Sequence, residues 1–357
     1  MASASNCFLL AGGLFAQLLL GCGEASEPEG ATDAATTGPA GTTAADATGV
    51  GASTAMDATA TGEAVTGTRG GASDSSSSSA ADTGSTGGVS GVDYEPCLVA
   101  GFDIGQPETL AEGPGAFPPE SSEVFSRTLH DNTRAYDGSG SARIGIEEGA
   151  TGFGQYGGIM YLGDACTPTG HLERGSEVWI RARYYVPQSW RWLPEGHSNK
   201  FLRLRTFVPG GESQGYDDLY IQPHPSETIQ GFRFIYEGIQ QWANVPTPEP
   251  FAADAWTTIE YYLRFDHLTE AEGGQARIRV WQDGVLLADI DDRATLTQED
   301  GYANDFLLFT YYGDEPSPQT QDLWVDDLII ATDQSPPTVT DDAGNPMIGA
   351  EVVVSDW

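Results

Sequence analysis

The sequence predicts an all-β domain of the sandwich or jelly-roll kind, preceded by a long disordered linker. From Tyr94 onward, apolar and polar residues alternate in many short runs, which is the period of strands. Clusters of Gly, Pro, Asn and Asp separate these runs, and no convincing helical period interrupts them. Many short strands joined by turns are typical of a β-sandwich.

The N-terminus has the pattern of a bacterial export signal. An apolar run over residues 8–21 is too short to span a membrane comfortably and ends in Leu-Leu-Gly before Cys22. This ending resembles the lipobox of bacterial lipoproteins, whose cysteine receives a diacylglycerol, and two or three acyl chains anchor a protein stably. We therefore predict a signal peptide over residues 1–22 and lipid anchoring through Cys22 to the cell envelope, at the outer membrane or cell surface. An ordinary secretory signal with a chance cysteine is the alternative.

Residues 23–93 form the predicted linker. They are mainly Ala, Thr, Gly and Ser with scattered acids, and they include no aromatic residue, Leu, Ile or Cys. Such a segment cannot bury enough apolar surface to offset the entropy lost on folding. We assign the folded domain to residues 94–333 and a C-terminal extension of undecided structure to residues 334–357.

The overall charge excludes one class of partner. The chain has a formal net charge of −36, with 52 acidic residues against 16 basic ones. So negative a field repels the phosphate backbone of nucleic acids. We therefore expect no DNA or RNA partner.

Eight runs in the domain show the period of strands most clearly. They cover residues 177–186, 201–207, 218–222, 232–236, 256–265, 276–281, 306–311 and 323–331. In the first run, Val178, Ile180, Ala182 and Tyr184 fall on one side, and the residues between them fall on the other.

Three of these segments resemble the concanavalin A-like lectin/glucanase superfamily. Residues 277–287 are similar to its "v-x-v-w-x-D-G" hairpin, with a turn at Asp283 and Gly284, and residues 256–263 are similar to the strand before that hairpin. Residues 323–332 look like the closing strand, which pairs with a first strand at residues 99–104. The resemblance covers residues 94–332 and implies a concanavalin A-like jelly roll. In general character it is nearest to jelly-roll polysaccharide lyases of the glucuronan and heparin lyase kinds.

Two cysteines, Cys97 and Cys166, lie in the domain. An exported protein meets oxidising conditions, in which a lone pair of cysteines is best interpreted as one disulfide. Two unpaired buried thiols are the alternative.

Positive charge is concentrated in residues 174–205, which include the chain's one lysine, Lys200. Arg203 and Arg205 lie two apart on a predicted strand and so share a face. Planar guanidinium groups suit the carboxylates of uronic acids, and aromatic rings on turns stack on sugars. We therefore predict an acidic polysaccharide as partner, with arginines paired to acids across the sheet as the alternative. The predicted substrate-binding residues are Arg181, Arg183, Lys200, Arg205, Tyr220, Trp190 and Trp192.

A lyase reaction on such a glycan would need two kinds of group. One neutralises the uronate carboxylate, and another removes the adjacent proton and protonates the leaving oxygen. A tyrosine base needs nearby positive charge to lower its pKa from about 10. The candidates are Arg203, Gln222, His224 and Tyr311, with packing and loop roles as the alternative. Non-catalytic carbohydrate binding and a structural or adhesive envelope role stay open.

A glucanase mechanism is disfavoured. Superfamily glucanases place paired acids on one strand in the pattern Glu-x-Asp-x-x-Glu. The chain has Asp217, Asp218 and Glu260 but no such motif.

The superfamily resemblance also implies a structural Ca²⁺. Asp103 near the first strand and Asp326 in the closing strand would lie close together if those strands pair. Carboxylates and backbone carbonyls are the ligands that Ca²⁺ prefers. Solvated acids at a sheet edge are the alternative.

Overall fold

The computed structural model describes residues 88–90, 94–103, 105, 107, 128–150, 157–162, 166–192, 199–223, 230–247, 250–311 and 316–355. The export signal with Cys22, most of the linker, and His224 lie outside these residues, so their assignments stay predictions. Within the described ranges, no helix has the length and apolar character needed to cross a bilayer.

The described secondary structure consists of strands and two short 3-10 helices. The strands are β1 (Gly88–Ser90), β2 (Leu98–Ala100), β3 (Thr128–Asp131), β4 (Ser141–Ile146), β5 (Gly158–Tyr161), β6 (Leu172–Glu173), β7 (Glu177–Val186), β8 (Asn199–Val208), β9 (Glu212–Pro223), β10 (Gln230–Tyr236), β11 (Gln241–Pro246), β12 (Ala255–Arg264), β13 (Arg277–Gln282), β14 (Val285–Ile290), β15 (Tyr302–Tyr311), β16 (Gln321–Thr332), β17 (Val339–Thr340), β18 (Pro346–Met347) and β19 (Val353–Ser355). The 3-10 helices are η1 (Glu237–Ile239) and η2 (Glu270–Glu272).

Two antiparallel sheets form the sandwich. The seven-stranded sheet has the order β11-β10-β9-β8-β15-β5, with β6 also paired to β15. The eight-stranded sheet has the order β14-β13-β12-β7-β16-β4-β3, with β2 also paired to β16. This architecture confirms the predicted all-β jelly-roll sandwich.

The main core lies between the two sheets. Leu202 and Leu204 on β8 are fully buried there, and so are Ile180 and Ala182 on β7. The alternation predicted for β7 is therefore confirmed, because its odd-numbered residue Trp179 belongs to a second apolar cluster on the other side of the sheet. Burial of each large apolar side chain contributes roughly 1.5–3 kcal/mol.

The C-terminal residues build that second cluster on the outer face of the eight-stranded sheet. Met347, Ile348 and Val352 are buried in it. Their partners from the sheet are Trp179, Tyr262, Trp281, Ile329 and Ala331. The extension that the sequence left undecided thus forms a layer over this sheet.

Several details of strand pairing follow the predictions. The closing strand β16 pairs with β2, with Leu328 opposite Ala100. At the hairpin between β13 and β14, Asp283 and Gly284 have φ of 50° and 80°, the left-handed pair that a type I′ turn requires.

Cys97 and Cys166 form a disulfide with a Cα–Cα distance of 4.8 Å, which confirms the predicted pairing.

Strand bounds were less accurate. The strand predicted at residues 218–222 is β9, which begins at Glu212, and the one predicted at 306–311 is β15, which begins at Tyr302. The early part of β9 contains Gly215 and polar residues, and its pairing with β8 rather than an apolar alternation maintains it. Alternating hydrophobicity does not reveal the ends of strands where these ends consist of polar residues.

Candidate functional site

The outer face of the seven-stranded sheet carries a concentration of basic and aromatic side chains, which we call the front face. Strand β8 sets its geometry, because Leu202 and Leu204 are buried in the core and Arg203 and Arg205 face outward. A register shift between Lys200 and Leu202 puts Phe201 in the core as well and Lys200 on the outer face. Register then aligns Arg203 with Asp218 on β9. The front face comprises Lys200, Arg203, Arg205, Tyr216, Asp218, Arg233, Trp242 and Asp305, together with Glu237 from η1.

Lys200 and Arg203 share two carboxylates. Arg203 Nε donates to Asp218 Oδ1 at 2.7 Å, and Lys200 Nζ lies 2.8 Å from Asp218 Oδ2. Lys200 also contacts Glu237, whose Oε1 is 3.9 Å from Arg203 Nη2. Asp218 is fully buried, whereas the Glu237 side chain is 26% exposed. Among the described residues, the two basic groups thus contact one buried and one accessible carboxylate.

Arg205 has a carboxylate partner of its own. Its Nε donates to Asp305 Oδ2 at 2.7 Å, and Asp305 lies opposite it on β15. Arg203 and Arg205 do share one face, as the sequence predicts, and both are paired with acids across the sheet, which is the alternative that the sequence left open.

Aromatic rings stack on two of the front-face guanidinium groups. The Arg203 guanidinium carbon lies 3.8 Å from the centre of the Tyr216 ring, and that of Arg233 lies 3.9 Å from the centre of the Trp242 ring. Trp242 remains 39% exposed. Such cation–π contacts hold a guanidinium in a fixed plane. The sequence prediction missed Arg233, although its position between the core residues Phe232 and Phe234 indicates an outward side chain.

The strand register gives the backbone positions of three other predicted residues. Tyr220 on β9 and Tyr311 on β15 are both paired with Lys200 on β8, so the three positions form one row across the sheet. Gln222 is paired with Gly231 on β10, two positions further along β9. Of the predicted catalytic residues, His224 lies outside the described residues.

Arg181 and Arg183 were predicted to bind substrate, and this prediction is wrong. Both lie on β7 of the other sheet and are buried. Arg181 donates to the carbonyls of Gly349 at 3.0 Å and Asp327 at 3.1 Å. Arg183 donates to the carbonyls of Ala350 and Val352, each at 2.7 Å, and to Asp327 Oδ2 and Thr258 Oγ1, each at 2.9 Å. These arginines hold the C-terminal segment on the sheet.

Glu260 completes this buried cluster. Its carboxylate accepts the backbone N–H groups of Ile348 at 2.6 Å and Gly349 at 3.0 Å. Burial raises the pKa of Glu260 to about 7, although these two N–H donors and Arg181 act in the opposite direction. Burial, with the like charge of Arg183, lowers the pKa of Arg181 to about 10.

Trp190 and Trp192 were also predicted to bind substrate. Trp190 is buried in the core and packs edge-on against Phe309, so the prediction is wrong for this residue. Trp192 is partly buried against the same core and stacks on Phe251 with ring centres 5.9 Å apart. Both rings therefore cover the interior of the sandwich.

The three acids considered for hydrolysis do not come together. Asp218 faces the front, Asp217 is fully buried next to it in sequence, and Glu260 lies on the other sheet. Burial raises the pKa of Asp217 well above its ordinary value. The arrangement is not a pair of facing carboxylates.

Burial and the like charges of Asp327 and Asp103 raise the pKa of Asp326 to about 8, so Asp103 and Asp326 are neighbours, as the strand pairing predicts. Asp326 accepts the N–H groups of Tyr136 at 2.7 Å and Asp327 at 2.8 Å, and Asp103 accepts that of Gly140 at 2.9 Å. In the part of the chain that the structure describes, no group of three or more His, Cys, Asp or Glu side chains converges as a metal site. Two aspartates already engaged by N–H donors fit a Ca²⁺ poorly, so calcium binding stays a prediction.

A scan of protein families and a search of curated proteins find no match to this chain. Solved structures with a similar fold include an endo-β-1,4-glucuronan lyase from the fungus Trichoderma reesei, with TM-score 0.43 and 14% identity over 63% of this chain and 93% of that one. An alginate lyase from a Chlorella virus has TM-score 0.41 and 13% identity over 63% and 98% of the two chains. A cellulose-induced protein has TM-score 0.39 and 17% identity over 66% and 96%. At these values the likeness concerns the fold alone.

Proposed function

We propose that the protein binds an acidic polysaccharide on the front face. The observation that carries this proposal is the group of basic side chains on the front face, next to aromatic rings, in a chain with net charge −36. This group consists of Lys200, Arg203, Arg205 and Arg233. The overall field repels a polyanion. Basic groups gathered on one face are therefore the feature of the chain best suited to a sugar carboxylate.

The chemistry of the face supports a glycan more than another anion. A guanidinium offers a planar fork of donors to a carboxylate. A half-exposed tryptophan such as Trp242 adds a flat apolar surface with a polar edge, which suits a sugar ring. Arg233 and Trp242 together offer both kinds of contact at adjacent strands.

Titration calorimetry with a glucuronan oligosaccharide tests the proposal. Arg233→Ala and Trp242→Ala should each weaken binding about tenfold, which corresponds to about 1.4 kcal/mol. Arg277→Ala is the matched control, because Arg277 is a partly exposed arginine of the eight-stranded sheet. Equal affinities in all three variants, or no binding by the unmodified chain, would refute the proposal.

A second candidate function is β-elimination on the same face. The specific observation in its favour is the row in which Tyr220 and Tyr311 are both paired with Lys200. In such a reaction a tyrosine acts as base if a nearby cation favours its ionised form, and the register supplies Lys200 as the candidate cation. Ultraviolet absorbance of the unsaturated uronate product distinguishes a lyase from a binding protein, and Tyr311→Phe should abolish it.

We further propose that this domain is displayed from a membrane through Cys22. The support is the apolar run followed by Leu-Leu-Gly-Cys and a linker that contains no aromatic residue, Leu or Ile. Labelled palmitate should be incorporated by cells that express the chain and not by cells that express Cys22→Ala. Labelling that survives this substitution would refute the anchor.

A further inference from the structure

Glu237 differs from the other acids of the front face in where the chain holds it. Asp218 and Asp305 lie within strands, and both are buried. Glu237 is the first residue of η1, in the connection between β10 and β11, and its neighbours Gly238 and Ile239 are exposed. It is thus the accessible carboxylate of the cluster.

The backbone of Glu237 is nevertheless fixed. Gly215 on β9 has φ of 121°, and a side-chain carbon there would lie 2.7 Å from the amide nitrogen of Gly238. This close approach presses η1 against the sheet. The carbonyl of Glu237 also accepts the backbone N–H of Gln240 at 3.2 Å and its side-chain amide at 2.9 Å. Rotation of the Glu237 side chain is therefore the simplest motion available to its carboxylate.

We propose that the Glu237 carboxylate occupies the place of a substrate carboxylate on Lys200 and Arg203 and rotates away when a uronate binds. The inference rests on the proposed function, since it names what the same face recognises. Glu237 contacts Lys200, and its carboxylate lies 3.9 Å from Arg203 Nη2, so an incoming carboxylate can take over the contacts that Glu237 gives up. A neutral sugar brings no negative charge to replace that of Glu237.

This exchange makes Glu237 a specificity-determining residue. A uronate replaces one carboxylate by another at the same cations, so the charge-assisted hydrogen bonds are retained. A neutral ring that displaced Glu237 would break its ion contacts with Lys200 and Arg203 without replacing them, and breaking partly buried ion pairs is costly. The internal carboxylate therefore lowers affinity for every ligand but favours acidic ones.

The test compares Glu237→Gln with Asp289→Asn in the full chain. Asp289 is the matched control, because its side chain is 26% exposed, like that of Glu237, and also forms an ion pair. It lies on the eight-stranded sheet, away from the front face. Both substitutions remove one negative charge, so any general relief of repulsion toward a polyanion is common to them. Melting temperatures verify that both variants fold.

Glu237→Gln should bind a glucuronan oligosaccharide about tenfold more tightly than the unmodified chain, and Asp289→Asn should not. The same substitution should raise the affinity for a neutral cello-oligosaccharide by a smaller factor than the affinity for the acidic one. Lys200→Gln added to Glu237→Gln should abolish the gain. If the unmodified chain binds the acidic oligosaccharide and Glu237→Gln binds it equally or more weakly, this inference is overturned while the proposed function stands. If none of the variants binds it, both are overturned.

Discussion

The outer faces of the two sheets carry arginines in similar sequence patterns but with different kinds of partner. On the eight-stranded sheet, Arg181 and Arg183 donate mainly to backbone carbonyls of the C-terminal segment and are buried. Arg183 also pairs with the buried Asp327 carboxylate. On the front face, Arg203 is likewise buried, but it and the more accessible Arg205 pair with side-chain carboxylates and contact aromatic rings. The first pair holds the C-terminal segment on the sheet, and we propose that the carboxylate partners of the second exchange with a ligand.

The difference shows that the mobility of the partner group determines whether a basic side chain can exchange that partner for a ligand. A backbone carbonyl within a packed segment leaves only if the segment unfolds. A carboxylate on a partly exposed side chain such as Glu237 can move by rotation about side-chain bonds alone. Substitutions on the two faces should therefore differ in how much they lower the stability of the fold.

Loss of Arg183 should have the largest effect on stability. Arg183→Ala leaves the buried Asp327 carboxylate with a weaker contact, since Arg181 lies 3.7 Å from it. We expect the free energy of unfolding to fall by about 3–5 kcal/mol, the range for breaking a buried ion pair. Urea denaturation measures it. Arg277→Ala, which removes a partly exposed pair with Asp289, should cost at most about 1 kcal/mol, and equal losses would contradict the comparison.

Loss of an apolar contact of the C-terminal segment should have the second-largest effect on stability. Ile348 is fully buried in the cluster on the eight-stranded sheet, so Ile348→Ala should lower the free energy of unfolding by about 2–5 kcal/mol. Val285 is 63% exposed beside the same segment, and Val285→Ala should change it by no more than about 0.5 kcal/mol. A negligible effect of Ile348→Ala would mean that the segment does not dock in solution.

The pH dependence of stability should report on Glu260. Its pKa in the folded chain is about 7 against an ordinary 4.5, so the folded state holds its proton more tightly than the unfolded state. The contribution of the protonated group is present below about pH 4.5 and is lost as the pH rises through about 7. Glu260→Gln should flatten the fall in stability across this interval, as followed by denaturation at each pH. An unchanged slope would assign the fall to other groups.

The front face should show the smallest effect on stability. Trp242 is 39% exposed and stacks on Arg233, so Trp242→Ala should cost no more than about 1 kcal/mol of stability. The same variant should lose most of its glycan affinity. A loss of stability as large as that of Arg183→Ala would show that the front face is structural too.

Much of the fold follows from local pattern. The alternation in residues 177–186 predicts β7 and both of its faces, because side-chain direction in a strand depends only on parity. The Asp283–Gly284 turn is predicted equally well, because few residue pairs adopt its backbone angles at low cost. These features need no knowledge of distant parts of the chain.

The site depends on contacts that no local pattern contains. Arg181 and Arg183 look like an exposed basic face until residues 349–352 fold over them. Glu237 lies 37 residues from Lys200, and their contact depends on the close approach of Gly215 to η1. The alternation of side chains along the strand predicts that Arg203 points outward, but it does not predict which carboxylates lie opposite.

A crystal structure of the chain with a glucuronan oligosaccharide would show whether the front face binds a uronate in exchange for Glu237. The oligosaccharide should lie along the front face, with a uronate carboxylate on Lys200 and Arg203, a sugar ring against Trp242, and the Glu237 carboxylate rotated away. An oligosaccharide bound to the C-terminal segment over the eight-stranded sheet, with the front face unchanged, would contradict the account.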